Sequence, residues 1–356
     1  MEQNNYQKVI CVGLSILCLF AIVTAFKILS SVFIPLTVAI LLALVYYPIC
    51  KNLHRRLHIP WVLCVIILLV LTIAALYIVS QLLIASVSMI IESYPKYESR
   101  FTSIYLTICE TFHIEYNYEN SLLTNIWSSL NVRSAIQKAA LTFSSSLVTF
   151  GKTLLLVGLF VAFLLVEMST LKVKMEQIFE EQKQQKKIKL MALKTVTEVT
   201  HYISIKFFIS LITGVLVGLS TFVIKMDFPI VWGFTAFILN FIPSFGSIIS
   251  WGMTTLFAVI QFYPNWGYVI YVGFMVLAIN MILGNIVEPR WEGTDLGISP
   301  FMIIVSLSFF GWLWGFVGMI IAVPLMVIIK IVCENTTALH SLAVLMGNGN
   351  IKKKSD

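Results

Sequence analysis

The chain has 356 residues, of which 59% are hydrophobic and 12% charged. A soluble domain averages roughly 45–50% apolar and about 25% charged residues, so this composition excludes an ordinary water-soluble globule and calls for lipid as the solvent. The net charge of +7 is concentrated in short segments between apolar runs, which reads as loops obeying the positive-inside rule and not as a nucleic-acid surface.

In chain order, the first apolar run covers residues 9–26 behind Lys8. A second run, 28–48, follows almost at once and contains Pro35, so the first is read as an uncleaved span and not as a signal peptide. A basic turn comes next, with Lys51, Arg55 and Arg56 beside His54 and His58. The third span is 60–84. Residues 85–145 mix acids, bases and tyrosines (Glu92, Lys96, Tyr97, Arg100, Glu110), as expected of a mostly helical segment at or above the membrane surface. A fourth span covers 146–167. Residues 170–206 are rich in lysine, from Lys172 to Lys206, with Leu171, Met175 and Ile178 at helical spacing, a pattern suited to the headgroup region.

The lysine and arginine bias places the 51–56 turn and the 170–206 segment in the cytoplasm, together with Lys352, Lys353 and Lys354 near the end. The N- and C-termini are then cytoplasmic and 85–145 external. The resulting division is 1–84, N-terminal spans; 85–145, external segment; 146–205, one span and the lysine-rich segment; 206–335, a transport core; and 336–356, a cytoplasmic tail.

The fifth span is 206–224, and the pattern then changes. The apolar stretch 228–262 would be about 52 Å long as one helix at 1.5 Å per residue, against a bilayer core of about 30 Å. It is interrupted by Asn240-Phe241-Ile242-Pro243-Ser244-Phe245-Gly246. Pro243 removes a backbone donor and Gly246 permits a bend. Residues 266–287 read as a plain span, followed by a polar loop from Glu288 to Asp295. A second overlong stretch, 300–332, is broken at Gly311-Trp312-Leu313-Trp314-Gly315. The two stretches superimpose: each opens at a proline, Pro229 and Pro300, and breaks from Asn240 and Gly311 onward. Interrupted segments at matching places in two halves are the sequence pointer to a transporter site. Each is either a kinked span or a helical hairpin, and length favours hairpins.

Three pieces of this half resemble the autoinducer-2 exporter (AI-2E) family of permeases. They are Trp232-Gly233 through Asn240-Phe241-Ile242-Pro243-Ser244-Phe245-Gly246; Asn285-x-x-x-Pro289-x-x-x-Gly293; and Gly311-Trp312-Leu313-Trp314-Gly315-x-x-Gly318 running on to Ala322-Val323-Pro324. They fall in order over about 200–332. The resemblance implies an all-α, polytopic inner-membrane protein of roughly eight spans that forms homo-oligomers. The family includes autoinducer-2 exporters, sodium-proton antiporters and sporulation membrane proteins, so the resemblance names no solute. Two departures stand out: Gly284, where the family often has an acid, and Ser247, where it often has proline. The first weighs against cation coupling.

The candidate binding or gating residues are Asn240, Pro243, Ser244, Gly246, Asn280, Asn285, Glu288, Pro289, Arg290, Gly311 and Gly315. Asn240 and Asn280 are amides inside apolar stretches, where polar groups are costly. At the breaks, half-helix ends leave backbone groups free for a solute. Glu288 and Arg290 flank Pro289 at a span end, as a gate or an ion pair would. Gly311, Gly315 and Gly318 suit close helix packing.

Nothing in the sequence calls for a cofactor or a metal, because the six cysteines and five histidines are scattered. Ser146 to Thr153 brushes a phosphate-loop pattern but lacks its first glycine and a preceding strand. The expectation is therefore a secondary transporter or exporter of a small solute and not an enzyme, with the lipid bilayer and the solute or a cation as partners. A sodium-proton antiporter and a non-transporting scaffold are the alternatives.

Overall fold

A computed structural model describes residues 2–111, 138, 142, 149–168, 182–292, 297–336 and 339–347. The described residues are helical almost throughout, in line with the all-α, membrane-spanning expectation. The helices are α1 (Glu2–Ile28), α2 (Ser30–Leu57), α3 (Trp61–Glu92), α4 (Tyr94–Thr111), α5 (Thr149–Met168) and α6 (Gln182–Val223). Then come α7 (Pro229–Leu239), α8 (Phe245–Phe262), α9 (Trp266–Ile282), a π-helical turn (Leu283–Val287), α10 (Glu288–Glu292), α11 (Pro300–Asn335) and α12 (His340–Met346). Among the described residues seven helices are long and apolar enough to cross a bilayer: α2, α3, α5, α6, α8, α9 with its extension, and α11. Large apolar side chains such as Phe20, Phe163 and Phe274 stay exposed, as a lipid-facing surface requires.

Two helix ends differ from the sequence reading. The basic residues Lys51, Arg55 and Arg56 are not in a turn but complete the end of α2, which terminates at His58 in the left-handed conformation. Cations in the last turn complement the helix dipole, so charge does not stop the helix. Likewise the stretch from Glu288 is not all loop, because 288–292 is helical. Leu171, Met175, Ile178 and Lys352–Lys354, and most of 112–145, lie outside the described residues.

The chain forms two compact units, each assembled from separated stretches. One comprises 1–69, 153–203 and 294–356. Its core joins Ala39, Ala43 and Cys50 of α2, Cys64 and Val65 of α3, and Val157, Val161 and Leu165 of α5. Trp61 Nε1 donates to the Leu165 carbonyl at 3.0 Å, and Thr200 Oγ1 to the Leu44 carbonyl at 3.0 Å. Within this unit α11 is two helical arms. Trp314 (φ −129°, ψ 15°) and Gly315 (φ 63°, ψ −143°) leave helical geometry. In an unbroken helix Phe310 and Gly318 would lie about 12 Å apart. Here a Cβ on Gly318 would run into the Phe310 carbonyl, and one on Gly311 would lie 2.9 Å from Met319 Cγ. The arms therefore double back at 314–315. The end of α1 meets this turn: Trp314 Nε1 donates to the Phe26 carbonyl at 3.1 Å, and Lys27 Nζ lies 3.7 Å from the Trp312 ring centre. At the other end of the same element, the Ser299 amide donates to the Met346 carbonyl at 2.9 Å.

The other unit comprises 70–152 and 204–293. Here α7 and α8 form a hairpin. As one straight helix, Phe228 and Phe257 would be about 43 Å apart; their rings lie 5.9 Å apart, and Phe257 is 4.9 Å from Trp232. The turn between the arms is tight enough that a Cβ on Gly246 would overlap the Leu239 carbonyl. The open end is tied by Gln261, which accepts from the Asp227 amide at 2.8 Å and donates to the Lys225 carbonyl at 3.2 Å. Helix α4 clasps the same end: Lys96 pairs with Asp227 at 2.5 Å, the Tyr97 hydroxyl donates to Asp227, and Arg100 donates to the Gln261 carbonyl. The α7 arm crosses α6 backbone to backbone, with Gly233 against Gly214 and Gly218, the small-residue contact that lets membrane helices approach closely.

Candidate functional site

The polar residues of the 204–293 unit converge on one cavity at the turn of the α7–α8 hairpin. It has a volume of about 330 Å³, within the range of small-molecule sites. Helix α6 contributes Lys206 to its lining. Its buried stripe recurs at helical spacing through Ile205, Lys206, Ile209, Ser210, Thr213, Val217 and Ser220. The hydroxyls of Thr213 and Ser220 fold back onto their own helix, donating to the carbonyls of Ile209 and Val217. Ser210 instead accepts from Asn240 Nδ2 at 3.0 Å.

That bond fixes the end of α7. Asn240 is 5% exposed, and its Oδ1 accepts from Ser247 Oγ at 3.4 Å, so one amide bridges α6 and both arms of the hairpin. Asn280 on α9 donates through Nδ2 to the Ser247 carbonyl at 3.4 Å, adding a third helix. Buried amides of this kind must be paired, because an unpaired one costs about 1–3 kcal/mol. Trp251, Ile248, Leu277 and Met281 form an apolar side of the cavity.

The charged pair of the site is Lys206 and Glu288, with Nζ and Oε1 2.5 Å apart and side chains 6% and 14% exposed. Glu288 follows the π-helical turn at the end of α9. Such turns insert one residue into a helix and are frequent at functional sites. The ion pair therefore joins Glu288 to Lys206 of α6, whereas Arg290 is exposed and does not line the cavity.

Of the residues singled out in the sequence, Asn240, Pro243, Ser244, Asn280, Asn285 and Glu288 line this cavity. Gly246 is buried in the hairpin turn behind it, and Pro289 is exposed beyond it. Gly311 and Gly315 belong to the other unit, at the reversal of α11. Sequence reasoning missed Lys206, which it grouped with the headgroup-facing lysines of 170–206; the structure leaves it 5% exposed. The available signal was its register: Lys206 falls on the same helix stripe as Ser210 and Thr213, at the mouth of an uncharged run that lasts until Lys225.

Comparison with known proteins places this architecture. The family model described as AI-2E family transporter matches residues 14–338. A relative from Borreliella burgdorferi, named only as a transport protein, is 32% identical over 328 residues, covering 92% of this chain and 88% of its own. The AI-2 transport protein TqsA of Escherichia coli is 29% identical over 368 residues, covering 98% of this chain and 97% of its own. The E. coli transport protein YhhT is 38% identical over 156 residues, 44% of each chain.

Proposed function

This chain belongs to the AI-2E transporter family, and from that membership we propose that it moves a small polar solute across the bacterial inner membrane through the cavity at the α7–α8 turn, without hydrolysing ATP. The observation that carries the reading is the Asn240 bridge. A single amide holds α6 and both hairpin arms around a cavity of solute size. In a membrane protein, non-helical backbone at a hairpin tip is tolerated where it lines such a cavity. On this reading both hairpins enter and leave the bilayer on one side, and both termini are cytoplasmic. The relative TqsA is named for autoinducer-2, which makes that molecule the first solute to test here.

Sodium-proton antiport is the competing reading, and Glu288 is the acid it would use. The observation against it is that Glu288 already holds a cation, the Lys206 ammonium.

Purified protein in liposomes loaded with autoinducer-2 tests the proposal, with pH and sodium gradients imposed in parallel. Protein-dependent solute efflux that falls at least tenfold in Asn240→Ala supports it. Sodium-dependent proton movement that disappears in Glu288→Gln would support antiport instead. A folded protein that moves neither solute nor ions would overturn the transport reading and leave a scaffold.

A further inference from the structure

The wall of the cavity contains one cation and one anion, contributed from positions 82 residues apart and in contact at 2.5 Å. The polar neighbours, Asn240, Ser247, Asn280 and Asn285, are neutral. The amide nitrogens of Asn240 and Asn280 are committed to Ser210 and to the Ser247 carbonyl. Each of these nitrogens keeps a second hydrogen, and Asn240 Oδ1 accepts from Ser247 Oγ at 3.4 Å, so the two amides are neutral, mixed donor–acceptor neighbours of the charged pair. The Glu288 carboxylate is the anionic oxygen donor among the lining side chains, and its corner of the cavity therefore has the chemistry of a hard cation. Lys206 brings its charge to that corner. A lysine ammonium is a compact point charge on a flexible stem, close in kind to a hydrated alkali ion, and here Lys206 is 5% exposed on α6, in sequence between the core residues Ile205 and Ile209.

We propose that Lys206 is a tethered cation: its ammonium fills the cation position beside Glu288 and keeps sodium out of the pocket. Lys206 is then the residue that decides ion selectivity, and removing its charge turns the corner into a sodium site. A carboxylate left alone in a buried site is strongly destabilising and takes up either a proton or a cation, so in the alkaline buffer of the test, where protons are scarce, a free cation that can reach it binds there. The inference takes the cavity of the transport reading as its setting, but its test needs no transported solute. A chain that moves no solute can still pass the test, and one that does can fail it.

The test uses the full chain purified in detergent, as wild type, Lys206→Met, and Lys206→Met with Glu288→Gln. Thermal unfolding midpoints are compared in alkaline buffer with sodium chloride or N-methylglucamine chloride at matched ionic strength, alongside binding of radioactive sodium. Wild type is expected to unfold at the same temperature in both salts and to bind no sodium. Lys206→Met is expected to unfold earlier in N-methylglucamine chloride, to recover at least half of that loss in sodium chloride, and to bind sodium. The double variant is expected to lose both responses, because the carboxylate is gone. Lys206→Gln, which keeps a hydrogen-bonding group at the position, should repeat the sodium response and guards against a packing fault specific to methionine. The proposal is overturned if Lys206→Met and Lys206→Gln ignore sodium, or if wild type responds as strongly as they do. It is also overturned if neither variant can be recovered folded in sodium chloride, since sodium is then unable to replace the missing charge.

Discussion

The crossing of α6 and α7 gives a sharp prediction for Gly233→Ala. The new Cβ would lie 2.6 Å from the Gly214 carbonyl oxygen, 3.2 Å from Gly218 Cα and 3.3 Å from Gly218 N. All three are backbone atoms, so no side chain can swing aside. An ordinary carbon–oxygen contact begins near about 3.3 Å, so the helices must part by roughly 0.7 Å. A gap of that size forfeits about a quarter to a half of each dispersion contact across the crossing. It also stretches the Asn240–Ser210 bond, now 3.0 Å, to about 3.7 Å, beyond hydrogen-bonding range. Overpacking typically costs about 1–3 kcal/mol, and the lost bond adds about 1 kcal/mol. Gly252 is the control, because a Cβ there meets nothing within 4 Å, and Gly→Ala in an open helix position is worth up to about 1 kcal/mol in stability. Thermal unfolding in detergent should move in opposite directions for the two variants, with solute efflux lost only in Gly233→Ala. Equal stability of Gly233→Ala and Gly252→Ala would refute the close-crossing argument.

Two further outcomes follow from the backbone and from α4. Gly315→Ala meets no neighbour within 4 Å, yet at φ 63° and ψ −143° it should destabilise the α11 reversal by about 1–3 kcal/mol, read as a lower unfolding midpoint than Gly252→Ala. Tyr97→Phe keeps the ring against Phe228 and Phe257 but removes the hydroxyl from Asp227, at a cost of roughly 1.5–3 kcal/mol for a hydrogen bond to a charged group. Burial, and then the bond to Asp227, push the Tyr97 phenol above its ordinary range. Its contribution is therefore fully present below about pH 10, the unfolded value, and is lost as the pH rises through the higher folded value. The stability gap between wild type and Tyr97→Phe should close in strong alkali; a gap that widens there would contradict the assignment.

The interrupted stretches were legible because length and chemistry agreed. Residues 228–262 are too many for one upright span, and Pro243 and Gly246 stand where the chain turns. The break at Gly311–Gly315 was found for the same reason, although the two residues that leave helical geometry are Trp314 and Gly315. Asn240 could be picked out because a buried amide in an apolar run needs a partner, but the partner, Ser210, lies 30 residues back on another helix. Helix ends were harder. The apolar run that marks the hydrocarbon region stops at 48, whereas the hydrogen-bonded helix continues through Arg55-Arg56 to Leu57, so the two edges differ by more than two turns in α2. Lys206 was hidden by its company: a run of lysines suggests a segment lying along the headgroups, and no local rule reveals a carboxylate 82 residues downstream.

The π-helical turn at 283–287 has a consequence for how this protein can change by insertion and deletion. Each residue advances an α-helix by about 100°. The single extra residue of the π turn thus sets the rotation at which Glu288 leaves α9. Deleting any one residue of Leu283–Val287 would keep every side chain of the charged pair yet swing Glu288 by about 100° from Lys206. The pairing depends on counting as well as on chemistry, and a relative that conserves both residues but differs in length across this segment has a different pocket.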